Sequence, residues 1–326
     1  MKKLIITATV DSTASYPDNP YSPAKDDVKS IADEYRRAVD AGASVCHIHP
    51  VSAPDAEVFS TDGRRYTALN IDAWREMVDR IMENRNPLIQ CGLANVQISD
   101  RIKLIEAKKP DFMSFNFVAH DIRADRIPGK KPTIISMPNL LEQLRESVEI
   151  CNRYGVYVDM EVFHTGAYYN INKLYEEGAI KAPAWASMMV SWPGGAHTPG
   201  TPLAMFNMVY HMPPWINWTC SSMDYDANKN WHILTQAILL GGNVRVGWED
   251  NPFLEPGVYS KSVAELVDKI VRIARLLGIE IANPDEARKV MKGEISDVSD
   301  VSDVSDVSDV SDVSDVSDVS DKRNKE

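Results

Sequence analysis

His47 and His49, separated by one isoleucine, are the residues most clearly spaced for chemistry. On a β-strand, side chains two residues apart point to the same face, so both imidazoles can reach one ion. The preceding Val45 and Cys46 are apolar, as a buried strand requires, and Pro50 ends the run. Catalytic zinc favours imidazole and carboxylate ligands with one position left open. The pattern predicts a metal site, although two solvated or hydrogen-bonded core histidines would show the same spacing.

Glu249 and Asp250 end a second apolar segment, Asn243 to Trp248, which also contains Arg245. Glu249 could complete a ligand set of two histidines and one carboxylate. Asp250 is then a candidate general base, because a nearby cation keeps a carboxylate ionised. Arg245 precedes Glu249 by four residues, on the same face of a strand, and could orient a carboxylate through paired hydrogen bonds. A solvated strand exit with an ordinary ion pair would show the same residues.

The elements that must position these residues alternate between strand and helix. Short β-branched runs begin at Leu4, Ser44, Leu88, Phe112, Tyr157, Ala186, Trp215 and Asn243. Segments with helical spacing are Asp26–Ala41, Asn70–Glu83, Ser99–Lys108, Leu140–Tyr154, Ile171–Glu177, Pro202–His211, Lys229–Leu240 and Ser262–Leu277. Strands separated by helices pair in parallel, and eight such units predict a (β/α)8 TIM barrel. An open doubly wound sheet is the alternative, but no strand is followed by a Gly-x-Gly-x-x-Gly turn.

Chemistry in a TIM barrel is carried by the carboxyl ends of the strands and the loops that follow them. This rule adds Ser114 and Asn116 on the fourth strand and Glu161 after the fifth. Gly194 and Gly195 follow the sixth strand. We take these five residues as candidate substrate contacts.

The bulk properties exclude several classes of protein. The net charge is −12, but the segment from Glu294 onward contributes −8 and leaves −4 for the rest. This balance argues against a nucleic-acid partner. No apolar run reaches the roughly 20 residues of a membrane span, and the apolar run at Leu4 is too short for a secretion signal. The four cysteines, at 46, 91, 151 and 220, form no close pairs, so we expect reduced thiols and a cytoplasmic protein.

Residues 293–326 differ in composition from the rest of the chain. A Ser-Asp-Val triplet repeats through this segment to Asp321 and contains no aromatic residue. Such a segment cannot bury enough apolar surface to offset the entropy of ordering. We therefore predict a catalytic barrel domain over residues 1–292 and a disordered low-complexity tail over residues 293–326.

Several longer motifs resemble one known family, the β-keto acid cleavage enzymes. The matching segments are 19–23, 41–49, 110–116, 161–163, 241–251 and 283–288, of which 241–251 is the longest and most specific. The resemblance runs from Thr7 to about Met291. It implies a zinc-dependent barrel, usually an oligomer, which we expect to be a homotetramer. Such enzymes convert a β-keto acid and acetyl-CoA, as cosubstrate, into acetoacetate and a new acyl-CoA.

The resemblance also implies roles for individual residues. Carried over by motif, the zinc ligands are His47, His49 and Glu249, the base is Asp250, Arg245 supports it, and Ser114 and Glu161 occupy family positions near the substrate. A β-keto acid can chelate one metal through its keto and carboxylate oxygens, and the metal then stabilises the enolate formed when a base removes a proton. No covalent enzyme nucleophile is required.

Three segments depart from the family pattern. Residues 50–55 lack the usual Arg-Asp, residues 90–95 replace a Ser-Thr-Gly-Gly loop, and Thr13-Ala14 is neutral where an acidic residue would meet a substrate amino group. Residues 221–224 also replace a glycine-rich turn. These departures leave the partner of the base unidentified and argue against 3-keto-5-aminohexanoate as the substrate.

Two other functions fit part of the pattern. A metal-dependent hydrolase of the amidohydrolase type would use His164 and His197 as further ligands, with Asp250 after the last strand. That class places its paired histidines on the first strand and gives Arg245 no role. A non-catalytic barrel with structural zinc would need a closed set of four ligands, whereas only three are evident.

Overall fold

The computed structural model describes residues 3–11, 15–59, 65–92, 98–124 and 133–294. All but the first two residues of the predicted tail lie outside the described residues. The departure at Thr13-Ala14 and most of that at 90–95 also lie outside them.

Eight parallel strands close into a barrel in the order β1-β12-β11-β10-β9-β6-β5-β2. The barrel strands are β1 (Ile6–Thr9), β2 (Val45–Ile48), β5 (Leu88–Cys91), β6 (Phe112–Asn116), β9 (Tyr157–Val162), β10 (Ala184–Val190), β11 (Ile216–Ser222) and β12 (Asn243–Gly247). Every residue of β1, β2 and β12 is buried, because helices cover the outer face while the inner face fills the barrel. The predicted TIM barrel is confirmed.

Helices follow the barrel strands and bury one apolar face each. They are α1 (Val28–Ala41), α2 (Ile71–Met82), α3 (Ile98–Ala107), α4 (Leu141–Tyr154), α5 (Ala167–Glu176), α6 (Pro202–Tyr210), α7 (Ala227–Leu239), α8 (Val263–Leu276) and α9 (Pro284–Met291). In α1, the Asp27 side chain accepts a hydrogen bond from the Ser30 amide, and Gly42, at φ +123°, ends the helix. The first eight match the predicted segments, with ends shifted by a few residues.

Three antiparallel hairpins were not predicted from the sequence. They are β3 (Ser52–Phe59) with β4 (Arg65–Leu69), β7 (His120–Ala124) with β8 (Thr133–Met137), and β13 (Phe253–Glu255) with β14 (Val258–Tyr259). Each follows a barrel strand, β2, β6 and β12 respectively, so each lies on the carboxyl-terminal face of the barrel. The loops on the carboxyl-terminal face that contain these hairpins therefore have hydrogen-bonded strands of their own.

Two further expectations concern the chain as a whole. In the part of the chain that the structure describes, no helix combines the length and apolar character needed to cross a membrane. The four cysteines are buried and unpaired, as expected for core thiols.

Candidate active site

His47, His49 and Glu249 converge at the carboxyl-terminal end of the barrel. Their ligand atoms all lie within 4.8 Å of one another. The two Nε2 atoms are 3.2 Å apart, His49 Nε2 lies 3.5 Å from Glu249 Oε1, and His47 Nε2 lies 3.9 Å from Oε2. Two imidazole nitrogens and a carboxylate facing one point are the donor set that Zn²⁺ binds in catalytic sites. These residues therefore fit a metal ion.

The backbone at Gly247 passes close to the backbone of Thr9, and this contact places Glu249 and Asp250 beside the two histidines. A Cβ at Gly247 would lie 1.8 Å from the Thr9 carbonyl oxygen, and its φ is +151°, so only glycine fits here. The Trp248 amide then donates to that carbonyl, and the Asp250 amide donates to the Gly247 carbonyl. The strand was expected to continue to Glu249, but β12 ends at Gly247. The resulting turn brings Glu249 and Asp250 over the barrel.

Thr9 and Gln90 form hydrogen bonds with Glu249 and His47, respectively. Neither residue was predicted from the sequence to belong to the site. Gln90 Oε1 lies 2.7 Å from His47 Nδ1. Because an amide oxygen only accepts, Nδ1 carries the hydrogen and Nε2 keeps its lone pair for a metal. The Thr9 hydroxyl donates to Glu249 Oε2 at 2.5 Å. Neither residue belongs to a local motif, since each comes from a neighbouring strand that only the closed barrel brings near.

Gly92 leaves the space that the two imidazoles occupy. A Cβ at this position would lie 2.5 Å from His47 Nε2 and 2.6 Å from His49 Cδ2. Its amide donates to the carbonyl of Ile48, which fixes the backbone beside the histidines. Any larger residue must displace a ligand.

Arg245 joins the metal-binding set to the candidate base. Its guanidinium donates from Nε to Asp250 Oδ2 at 2.8 Å and from Nη2 to Asp250 Oδ1 at 2.6 Å. The same Nη2 donates to Glu249 Oε1 at 2.9 Å. All three side chains are almost fully buried, at 1%, 2% and 7% exposure for Arg245, Asp250 and Glu249. A buried charge of this kind persists only when it is paired and hydrogen-bonded.

Burial and charge act differently on the two carboxyls. Burial opposes ionisation of Glu249, yet Arg245 and the two imidazoles hold its pKa below the ordinary range. Burial raises the pKa of Asp250, while Arg245 opposes that rise. Burial and the nearby guanidinium lower the pKa of His47 to about 3, so this imidazole is neutral. Glu249 is therefore a fixed anion, and Asp250 is the better proton acceptor.

The candidate substrate contacts on β6 and β9 lie on neighbouring strands. Asn116 is in register with Glu161, and Ser114 with Asp159. Burial, reinforced by the carboxyl of Asp159, raises the pKa of Glu161 to about 7. The Ser114 hydroxyl donates to the Cys91 carbonyl at 3.3 Å.

Asn116 has a partner that the sequence did not indicate as functional. His120 Nδ1 lies 3.0 Å from the Val118 carbonyl oxygen, so Nδ1 carries the hydrogen and Nε2 is an acceptor. The Asn116 amide Nδ2 lies 3.3 Å from that Nε2. His120 therefore orients the amide of Asn116.

Gly194 and Gly195 lie in the loop after β10, as expected. The Gly195 amide donates to Asp121 Oδ1 at 3.0 Å, and a Cβ at Gly195 would lie 2.3 Å from that oxygen. The loop is thus anchored to β7.

His164 and His197 do not join the cluster of ligands. His164 Nδ1 accepts the Gly166 amide, and His197 Nδ1 lies 2.8 Å from the Trp192 carbonyl oxygen. Among the described residues, the one group of three or more potential ligands is His47, His49 and Glu249. The arrangement required by the amidohydrolase alternative is not formed.

Comparison with known proteins decides the family. The sequence profile of the family described as "beta-keto acid cleavage enzyme" matches residues 3–292. The chain belongs to this family. The sequence-based identification is confirmed, and the protein is a member of a class of enzymes that cleave carbon–carbon bonds.

Two curated relatives cover nearly the whole folded chain. The 3-keto-5-aminohexanoate cleavage enzyme of Acetoanaerobium sticklandii is 29% identical over 293 residues, covering 89% of this chain and 98% of the relative. The 3-dehydrocarnitine:acetyl-CoA trimethylamine transferase of Rhizobium meliloti is 27% identical, covering 88% and 94%. The first name specifies cleavage of 3-keto-5-aminohexanoate, and the second specifies 3-dehydrocarnitine and acetyl-CoA as the reactants.

A solved structure shares the fold at low sequence identity. ObcA, in a ternary complex with a C4-CoA adduct and oxalate, superposes with a TM-score of 0.60 at 15% identity. The match covers 84% of this chain and 68% of ObcA. At this sequence identity, the structural similarity supports the barrel fold alone.

Proposed function

We propose that this enzyme is a zinc-dependent acyl exchange catalyst that converts a β-keto acid and acetyl-CoA into acetoacetate and a new acyl-CoA. The observation that carries the proposal is Arg245, which binds the metal-site carboxylate of Glu249 and the carboxylate of Asp250 at once. A hydrolytic site has no need for this bridge. Carbon acid chemistry needs a base fixed beside a Lewis acid, and the bridge supplies that arrangement.

Asp250 is the proposed base. It removes a proton from C2 of the β-keto acid, and C2 attacks the acetyl carbonyl of acetyl-CoA while the thiolate leaves. The thiolate then attacks the original keto carbon, and the C2–C3 bond breaks to give acyl-CoA and acetoacetate, with the proton returned to C2. Burial favours the protonated form that Asp250 takes up, and Arg245 fixes both oxygens so that the base does not rotate.

His47, His49 and Glu249 would hold the zinc ion. When bound, zinc would supply a Lewis acid that polarises the keto and carboxylate oxygens of the substrate. Gln90 fixes the tautomer of His47, and Thr9 fixes the carboxylate of Glu249. Such partners orient ligands and preserve metal affinity.

The remaining contacts to substrate are proposed for Ser114, Asn116, Glu161, Gly194 and Gly195. Glu161, with its pKa near 7, can present a protonated carboxyl to a substrate oxygen. The family resemblance supports a homotetramer, and the four buried, unpaired cysteines are compatible with a cytoplasmic location.

The experiment is an acetyl-CoA-dependent acetoacetate assay over a panel of β-keto acids with neutral, cationic and branched side chains. Zinc-loaded wild type is compared with Glu249→Ala and Asp250→Asn. We expect Glu249→Ala to lose both zinc and activity, and Asp250→Asn to retain zinc while kcat falls by about 10²-fold or more. Activity that survives both substitutions would overturn the proposed mechanism.

A further inference from the structure

A cavity of about 620 Å³ lies on the carboxyl-terminal face, apart from the converging ligands. The loop after β10 forms one wall and α7 forms the other. Its lining includes Pro199, Met223, Lys229, His232 and Gln236. None of these residues takes part in the proposed proton transfer by Asp250.

Specific hydrogen bonds and close packing contacts fix the walls of this cavity. Ser191 lies in the left-handed region at φ +59°, and its amide donates to the Thr198 carbonyl at 2.7 Å. Gly200 packs so closely that a Cβ there would lie 2.5 Å from Ser191 Oγ. Across the cavity, Asp226 caps α7 by accepting the amides of Asn228 and Lys229. A strained residue held by such contacts often marks a binding site.

One hydrogen bond joins the cavity to the candidate active site. Asn251 donates from Nδ2 to the carbonyl oxygen of Asp224 at 2.5 Å, and Asp224 lines the cavity. Asn251 directly follows Asp250, the proposed base. The inner end of the cavity therefore lies beside the place where the thioester must react.

The lining combines an apolar floor with a basic rim. Met223 and Ile233 are almost fully buried, whereas Lys229, His197 and His232 are exposed. Lys229 has no ion pair within the described ranges of the chain. Asp224 also lines the cavity, but its Oδ1 accepts the amide of Asp226, and Asp226 in turn accepts the amide of Asn228 at the start of α7. The surface thus suits a ligand with an apolar arm and an anionic end.

We propose that this cavity holds the pantetheine arm of the coenzyme A thioester, with the diphosphate at Lys229. The inference rests on the proposed function, which requires an acetyl-CoA whose thioester reaches Asp250 while its remainder leaves over the rim of the barrel. Lys229 contributes a charge-assisted hydrogen bond to phosphate, and the exposed imidazoles contribute N–H donors. Met223 and Ile233 contact the arm.

The test compares two thioesters, acetyl-CoA and acetyl-pantetheine, which lacks the phosphates. For Lys229→Ala we expect KM for acetyl-CoA to rise roughly tenfold, with KM for acetyl-pantetheine and for the β-keto acid unchanged. For His232→Trp, whose indole occupies the cavity from an exposed position on α7, we expect KM to rise for both thioesters. Lys181→Ala, at the opposite end of the barrel, is the matched control and should match wild type.

Two results would overturn the inference: an unchanged KM for acetyl-CoA in both cavity variants, or an equal rise for both thioesters in Lys229→Ala. Calorimetry with coenzyme A alone separates this inference from the proposed function. If wild type turns over no β-keto acid, the proposed function fails. Coenzyme A that still binds wild type more tightly than Lys229→Ala would then support the cavity, and equal or absent binding would reject it.

Discussion

Arg245 is the residue on which the charges of the site depend. Its guanidinium makes three hydrogen bonds to two buried carboxylates, and the fork geometry allows this where a lysine could not. The sequence indicated Arg245, Glu249 and Asp250 because an apolar strand that ends in opposite charges is unusual. It could not indicate Thr9 or Gln90, whose polar side chains have ordinary sequence neighbours. Only barrel closure brings Gln90 beside His47 and Thr9 beside Glu249.

Gln90→Leu tests the orientation of His47. Leucine keeps the approximate size but removes the oxygen that accepts from Nδ1, so the imidazole loses its fixed tautomer. We expect zinc affinity to fall by about 10- to 100-fold, measured by competition with a chromophoric chelator. Thr219→Val, which also changes a polar residue inside the barrel, should leave zinc affinity unchanged. Equal affinities of Gln90→Leu and wild type would show that the bond to His47 does not position the ligand.

At the scale of elements, the eight barrel strands were predicted because central parallel strands are short apolar runs between helices. The three antiparallel hairpins were not predicted. β13 and β14 have three and two residues, too few to show alternation. Helix α9 was missed although Asn283 and Glu286 form a capping box at its start, which is a readable sign of a helix N-terminus.

Gly92→Ala tests the junction of β2 and β5 at the metal site. The added methyl group would overlap His47 Nε2 and His49 Cδ2, so the ligands must move apart. We expect loss of stoichiometric zinc binding, measured by elemental analysis after gel filtration. Gly242→Ala, whose Cβ would lie 2.4 Å from the Trp218 ring instead, is the control for overpacking and should retain zinc. Full zinc content in Gly92→Ala would contradict the described packing.

At the scale of the whole molecule, the barrel encloses a buried acid below the site. Asp159 is 3% exposed and accepts a hydrogen bond from the Ser187 hydroxyl. Burial raises its pKa from 3.8 to about 6. A carboxyl with a raised folded-state pKa favours the folded protein below its unfolded pKa, and this contribution is lost as pH rises through the folded value.

Asp159→Asn removes this pH dependence. Relative to wild type, we expect the free energy of unfolding of the variant to increase by about 2 kcal/mol as pH rises from 4 to 6, and to level off above about pH 7. Urea unfolding at a series of pH values measures the difference, with Asp26→Asn as the control at an exposed aspartate. A difference that does not change between pH 4 and 6 would be inconsistent with a buried, protonated Asp159.

The predicted division of the chain at residue 292 has its own test. The family match ends at residue 292, and the last described helix ends at Met291. Because the segment 295–326 has few apolar residues to bury, we expect its removal to leave the unfolding temperature and zinc content unchanged. A lower unfolding temperature by calorimetry would show that the tail packs on the barrel.

The most direct measurement of the central claim follows carbon from acetyl-CoA labelled with ¹³C at both acetyl positions. The proposed exchange predicts, by NMR, acetoacetate labelled at C3 and C4 only, an unlabelled new acyl-CoA, and formation of both products slowed by about 10²-fold or more with Asp250→Asn. Labelled acetate in place of acetoacetate, or label in the new acyl-CoA, would contradict it.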